Sequence, residues 1–210
     1  YVLTTFVPMT GGGARTVEAW IRTSANCVPA AGGHQIVIAD WGTTGTGTRF
    51  TFNVLYNNAI RLEVSGSGFN GHVPVNDGLW HHVAGVYDPL ASLKFRLYVD
   101  GQLDSAGNNT TTVNTASGPL RIGRRIDDAN PFNGDIDEVR IWDKALTQSE
   151  ILSNINAEFC NAPANLIAYY TFNQGVAGAN NSGITTLYDN SGNGHHGTLT
   201  NFTLNGTASN

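Results

Sequence analysis

Asp135-Ile-Asp-Glu138 is the densest run of carboxylates in the chain. Two chemistries suit such a run: glycoside hydrolysis and calcium binding. A retaining glycosidase needs two carboxyl groups about 5 Å apart. On a strand, side chains two apart share a face, so Asp135 and Asp137 align with Val139 and Ile141 while Glu138 points the other way. Arg140 and Trp142 stand where a second catalytic carboxylate is needed, so this strand is not expected to be catalytic. Ca²⁺ instead takes six to eight oxygens from carboxylates, amides and carbonyls. Asp189-Asn-Ser-Gly-Asn193 is dense in such oxygens, with Asp189, Asn190 and Asn193 as donors and a glycine that lets carbonyls turn inward. The competing reading is an Asx-turn closed by Asp189 and Asn190 alone.

Sugar recognition asks for aromatic rings beside hydrogen-bonding side chains. Trp41 precedes the glycine-threonine run 42–48. Tyr56, Phe69 and His72 follow, and then Arg124-Arg-Ile-Asp-Asp128 with Asn130. Arginine forks suit carboxylate or sulfate groups, and the chain has only two lysines. The alternative places Trp41 in the core and pairs Arg124 and Arg125 with Asp127 and Asp128. The sheet face carrying Trp20, Tyr98 and Trp142 is the other candidate surface. Neighbours on a strand face opposite ways, so neither His81-His82 nor His195-His196 chelates a metal by itself. Glu18 and Arg140 are expected to form a structural ion pair.

These residues sit on short alternating runs: 16–23, 35–40, 49–56, 58–64, 81–87, 94–100, 120–123 and 135–142. Asn57-Asn58 and Asp100-Gly101 are turn signals. Such punctuation predicts an antiparallel sandwich. Thr147-Gln-Ser-Glu150 is a capping box, and it predicts one short helix near 148–158 with Ile151, Ile155 and Phe159 on one face. Leu166–Phe172 reads as a further strand. Cys27 and Cys160 fit no zinc spacing; they are expected to form a disulfide, which would suit an extracytoplasmic location, rather than to be two unrelated thiols.

Composition narrows the class. The chain has 210 residues, 25 of them glycine, and only 13% are charged, about half the usual share. A net charge of −5 lacks the basic footprint of a nucleic-acid binder, and no apolar run is long enough to cross a bilayer. Tyr1–Met9 has no secretory-leader pattern. Both ends read as cut from something longer, which predicts a module with covalently linked neighbours.

The ordered series Val17-Glu-Ala-Trp20, Gly78-Leu-Trp-His-His-Val83, Leu97-Tyr-Val-Asp-Gly101, Arg121-Ile-Gly-Arg124 and Phe132–Trp142 resembles the laminin G-like, concanavalin A-like jelly-roll domains of secreted bacterial multidomain proteins. The resemblance covers nearly the whole chain and is specific for fold. It implies an all-β, two-sheet antiparallel jelly-roll sandwich with one short helix, spanning residues 1–210 as one domain. Residues 165–205 would supply a C-terminal strand and loop that open the domain in many relatives. The resemblance makes Asp137 a calcium ligand, shared with the Asp189–Asn193 loop. It implies a non-catalytic, calcium-stabilised carbohydrate-binding module of a secreted polysaccharide-degrading enzyme, monomeric, binding a polysaccharide or glycan. An adhesion or surface-display domain is the alternative, and a glycoside hydrolase or polysaccharide lyase stands third. The expected ligand surface is Trp41, Tyr56, Phe69, Arg124, Arg125, Asp127 and Asp128.

Overall fold

The computed structural model describes residues 1–27 and 35–204. Fourteen strands and one helix are formed among them: β1 Val2–Thr4, β2 Arg15–Arg22, β3 Ile36–Gly42, β4 Arg49–Val54, β5 Ala59–Val64, β6 Ser67–Pro74, β7 Trp80–Tyr87, β8 Phe95–Val99, β9 Gln102–Gly107, β10 Arg121–Ile122, β11 Asp135–Trp142, α1 Gln148–Asn154, β12 Leu166–Tyr170, β13 Thr186–Leu187 and β14 Gly197–Leu199. They build one sheet in the order β13-β14-β1-β10-β3-β4-β5-β6 and a second in the order β12-β11-β2-β7-β8-β9. The pairings are antiparallel, as in β2 with β7 and β11 with β2. This is the antiparallel sandwich that the alternating runs implied, in the jelly-roll form that the resemblance implied.

Period-2 alternation sends Val17, Ala19 and Ile21 of β2 inward, with Val83, Leu97, Val139 and Ile141 from the same sheet. They meet Ile38, Phe50, Phe52, Ile60 and Leu62 of the other sheet in one apolar core. The sheets approach closely at Gly85, where a Cβ would lie 2.8 Å from the Leu62 side chain. A larger residue there requires that side chain to shift.

The second sheet is covered on its outer face as well. Trp142, Leu146, Ile151, Leu166 and Tyr169 form a separate apolar cluster beneath α1. The helix starts at the expected capping box: Thr147 accepts from the Glu150 amide, and Glu150 reaches back to the Thr147 amide. It ends earlier than its apolar spacing suggests. Arg140 donates to the carbonyls of Asn154 and Ala157, and Trp20 Nε1 donates to the carbonyl of Ile155. These bonds satisfy terminal carbonyls that a longer helix would have used internally. Phe159 therefore reaches the cluster from beyond the helix, edge-on to Trp142 and Tyr169.

β12 pairs with β11, and β14 pairs with β1. The 189–197 segment packs along the free side of β12, where the amides of Tyr169 and Asn190 exchange bonds with Asp189 and the Tyr169 carbonyl.

Candidate functional site

Two cavities, about 350 and 370 Å³, share Trp80, Asp137 and Asn173 in their linings; the first lies on the outer face of the second sheet, and the second reaches the end of the sandwich, where Val2, Ile122, Leu187 and Leu199 of the first sheet line it. Together they make a groove. Its floor is β11 at Asp137, Glu138 and Arg140; one wall carries Trp20 and Trp80, and the other Ile155–Glu158 and Asn173.

A β-bulge makes the floor. The β11–β2 register shifts between Asp137 and Arg140, and Glu138 adopts φ 51°, a left-handed conformation uncommon outside glycine. The extra residue turns Asp137 to the outer face, beside Glu138 and Arg140, while Val139 and Ile141 stay in the core. Simple alternation had aligned Asp137 with Val139 and Ile141; the bulge removes that alignment.

Each floor residue has a defined electrostatic setting. Asp137 Oδ1 accepts from the Glu138 amide at 2.8 Å, and Oδ2 has no protein donor among the described residues. Burial pushes the Asp137 carboxyl up to about 6, with the nearby carboxylates of Glu138 and Glu158 adding to the rise and the Glu138 amide and Arg140 opposing it. Glu138 Oε2 accepts from Arg140 at 2.7 Å and from the Tyr169 hydroxyl. Arg140 is 1% exposed, and its Nε has no hydrogen-bond partner among the described residues.

The aromatic wall is braced from behind. Trp80 is 39% exposed. The Arg22 guanidinium lies 5.1 Å from its ring centroid and also pairs with Asp135 at 2.9 Å. Trp20 is half-buried, edge-on to the buried His82 ring. Burial holds His82 far down, near 3, so it is neutral at ordinary pH. His81 fixes the turn before Trp80, with one ring nitrogen on Asp77 and the other on Asp100.

The ligand surface expected from sequence is not assembled. Trp41 is fully buried in the core and donates Nε1 to the Met9 carbonyl, so no sugar can stack on it. Phe69 packs against Phe95. Arg125 grips Asp127 through two nitrogens, and Arg124 donates twice to the Asp128 carbonyl while lying over Tyr1. Arg121 takes the Asp128 carboxylate. Tyr56 stays exposed at the β4–β5 turn. Of the alternative face, Tyr98 and Trp142 are buried, leaving Trp20 at the groove edge. Trp80, the exposed ring of the groove, was not among the residues expected from sequence; its signal was the Gly78-Leu-Trp80 turn leading into an alternating strand.

The expected disulfide is also corrected. Cys27 and Cys160 are both free. Cys27 is buried in the core between the sheets, its amide held by Asn58, whereas Cys160 is exposed beyond α1 on the outer side.

The loop expected to share a calcium ion holds its side chains in hydrogen bonds. Asp189 Oδ1 accepts from the amides of Tyr169 and Ser191, and Oδ2 accepts from the Ser191 hydroxyl and the His195 amide. Asn193 donates its amide nitrogen to the Ile167 carbonyl, and Asn190 donates to Thr171. Those bonds occupy both Asp189 oxygens, and Asp137 lies in the groove. No three His, Cys, Asp or Glu side chains among the described residues gather in a way that could hold a metal ion.

Residues 1–152 match the sequence profile of the concanavalin A-like lectin/glucanases superfamily. The chain is 26% identical to mouse neuronal pentraxin-2 over 183 residues, covering 79% of this chain and 39% of that protein. It thus spans about two fifths of that relative's length. A putative carbohydrate-binding protein from Bacteroides ovatus superposes with a TM-score of 0.68 at 20% identity, covering 94% of this chain and 54% of the other. The CBM40 of the Ruminococcus gnavus IT-sialidase, bound to α2,3-sialyllactose, gives 0.55 at 14% identity, over 68% of this chain and 83% of the other.

Proposed function

Because the chain belongs to the concanavalin A-like lectin/glucanases superfamily, we propose that it is a non-catalytic, lectin-like module that binds a glycan in the Trp80 groove. The observation that carries this reading is Trp80 itself. It is an exposed indole, braced by Arg22, above a floor that offers Asp137. Aromatic rings present a large, rigid apolar face, which suits the C–H face of a pyranose, while the floor supplies directional hydrogen bonds.

Catalysis is not part of the reading. Of the three groove carboxylates on β11, Glu138 is engaged by Arg140 and Tyr169 and Asp135 by Arg22, so the paired, unencumbered geometry of a glycosidase is missing. Residues 165–204 belong to the same unit in this reading, since β12 and β14 extend both sheets. The similarity to a carbohydrate-binding protein and a sialidase module supports an extracytoplasmic module appended to a polysaccharide-processing enzyme. The pentraxin likeness favours the second reading, an adhesion domain for a glycan presented on a protein or matrix.

A glycan array read with wild type and Trp80→Ala tests the function. Expected are array hits that Trp80→Ala weakens about tenfold or more, the scale of one lost stacking contact. Hits insensitive to that substitution would move the site elsewhere, and an empty array would refute glycan binding.

A further inference from the structure

We propose that the cavity at the end of the sandwich holds an apolar, ring-sized substituent of the glycan, so that the ligand is a sugar carrying an aryl group, with the sugar against Trp80 and the aryl group inside. This rests on the glycan-binding reading above and adds the ligand class.

The lining argues first. Val2, Ile122 and Leu187, all buried, come from the first sheet, and Ile136 of β11 comes from the second. Phe132 and Phe172, partly buried and packed against the core, add two rings. The amide side chains of Gln174 and Asn181, also in the lining, are already used. Gln174 donates to the Thr186 carbonyl and accepts from the Tyr188 amide, and Asn181 exchanges bonds with the Val176 backbone. A sugar hydroxyl that entered would leave water and find few partners, which is costly. An apolar group that entered would release water from carbon surface, which is favourable.

The connection argues second. Trp80, Asp137 and Asn173 line both cavities, so the apolar one opens from the surface assigned to the sugar. Charged side chains collect at that shared end, where Arg22 lies over the Trp80 ring and pairs with Asp135. A ligand spanning the junction meets a polar end and then a carbon-lined one, and an amphipathic molecule fits that order. The volume, about 370 Å³, is at the small end of ligand pockets, roughly 300–1,000 Å³, and suits a ring rather than a long chain. Phe132 and Phe172 favour an aromatic occupant, because ring pairs gain from edge-to-face and offset contacts beyond the area they bury.

The experiment is calorimetry on the intact chain with methyl, phenyl and octyl glycosides of glucose, galactose, mannose, xylose and arabinose. Expected is a phenyl glycoside that binds about tenfold or more tighter than its methyl counterpart, the scale of burying one ring, with a more negative heat-capacity change. Trp80→Ala should weaken both. Ile136→Trp, which fills the cavity, should remove the phenyl advantage, and Phe132→Ala, a milder change at a partly buried position, should reduce it. Methyl and phenyl glycosides of equal affinity would overturn the proposal and leave the glycan function standing. A phenyl advantage that both cavity variants keep in full would place the ring elsewhere and overturn the proposal too. An octyl gain larger than the phenyl one would overturn the aryl class. If no glycoside binds, hits on the glycan array would leave the function standing without this proposal, and an empty array would overturn both.

Discussion

Arg140 donates to Glu138, two residues earlier on its own strand, at 2.7 Å, and makes no ion pair with Glu18. The cross-strand pair expected from Glu18 and Arg140 is replaced because the bulge folds Glu138 back toward the guanidinium. Glu18, fully buried and opposite Arg140 in the register, is left with one bond, from Trp142 Nε1 to Oε2, while Oε1 has none.

Glu18 therefore carries a pH signature. Burial lifts its carboxyl from 4.5 to about 7, against the opposing pull of Arg140 and the Trp142 bond. The folded chain keeps a proton that the unfolded chain releases. The stability due to Glu18 is thus fully present below 4.5 and lost as pH rises through 7. Glu18→Gln keeps the acceptor for Trp142 and cannot ionise. It is expected to be more stable than wild type at pH 8, by on the order of 1–3 kcal/mol, and no more stable at pH 4.5. His82 acts in the opposite direction, its contribution being lost as pH falls below 6.5, but it is common to both proteins and cancels. Urea melts across this range check the sign; a difference independent of pH would refute it.

Asp189 is expected to act as a loop clamp rather than as half of a calcium site. Asp189→Ala would strand the amides of Tyr169, Ser191 and His195, at a cost of about 1–3 kcal/mol for each one that finds no water. That loss should be equal with calcium and with chelator, and chelation of wild type should leave Tm unchanged. An ion bound only by the folded state would instead raise stability by about 2.7 kcal/mol at a hundredfold excess over Kd. A chelator-induced fall in Tm that Asp189→Ala abolishes would restore the shared ion.

The two thiols should separate kinetically. Cys160 is exposed and is expected to react with a thiol reagent in the folded protein. Cys27 is buried, its thiol pushed up by burial, and should react only on unfolding, because the thiolate is the reactive form. Two thiols titrating in the unfolded, non-reduced chain is the expected total; none would re-establish the bridge.

Strands and helix start were legible because their signals are local. Alternation at Val17, Ala19 and Ile21 and the fixed offset from Thr147 to Glu150 need no tertiary information. The site was not legible, since its key event is a bulge at a non-glycine residue, Glu138, which shifts the alternation by one without any composition mark. Trp41 misled for a related reason. It adjoins a glycine-threonine run, but β3 continues through Gly42, making Trp41 the last inward residue of a strand. The helix ended at Asn154 because two residues more than a hundred positions apart in some cases, Trp20 on β2 and Arg140 on β11, capture its carbonyls.

The pairing of β1 with β14 sets Val2 opposite Leu199, which bears on how the chain folds. A contact between the two ends of the described chain has a very high sequence separation, and topologies rich in such contacts fold slowly. During synthesis β1 emerges before the other strands of this unit and waits for β14 until all of them have been made. Until then the first sheet keeps a bare edge at β1, and the second keeps one at β11 until β12 arrives. Those edges are the places where a nascent or refolding chain is most exposed to pairing with another copy.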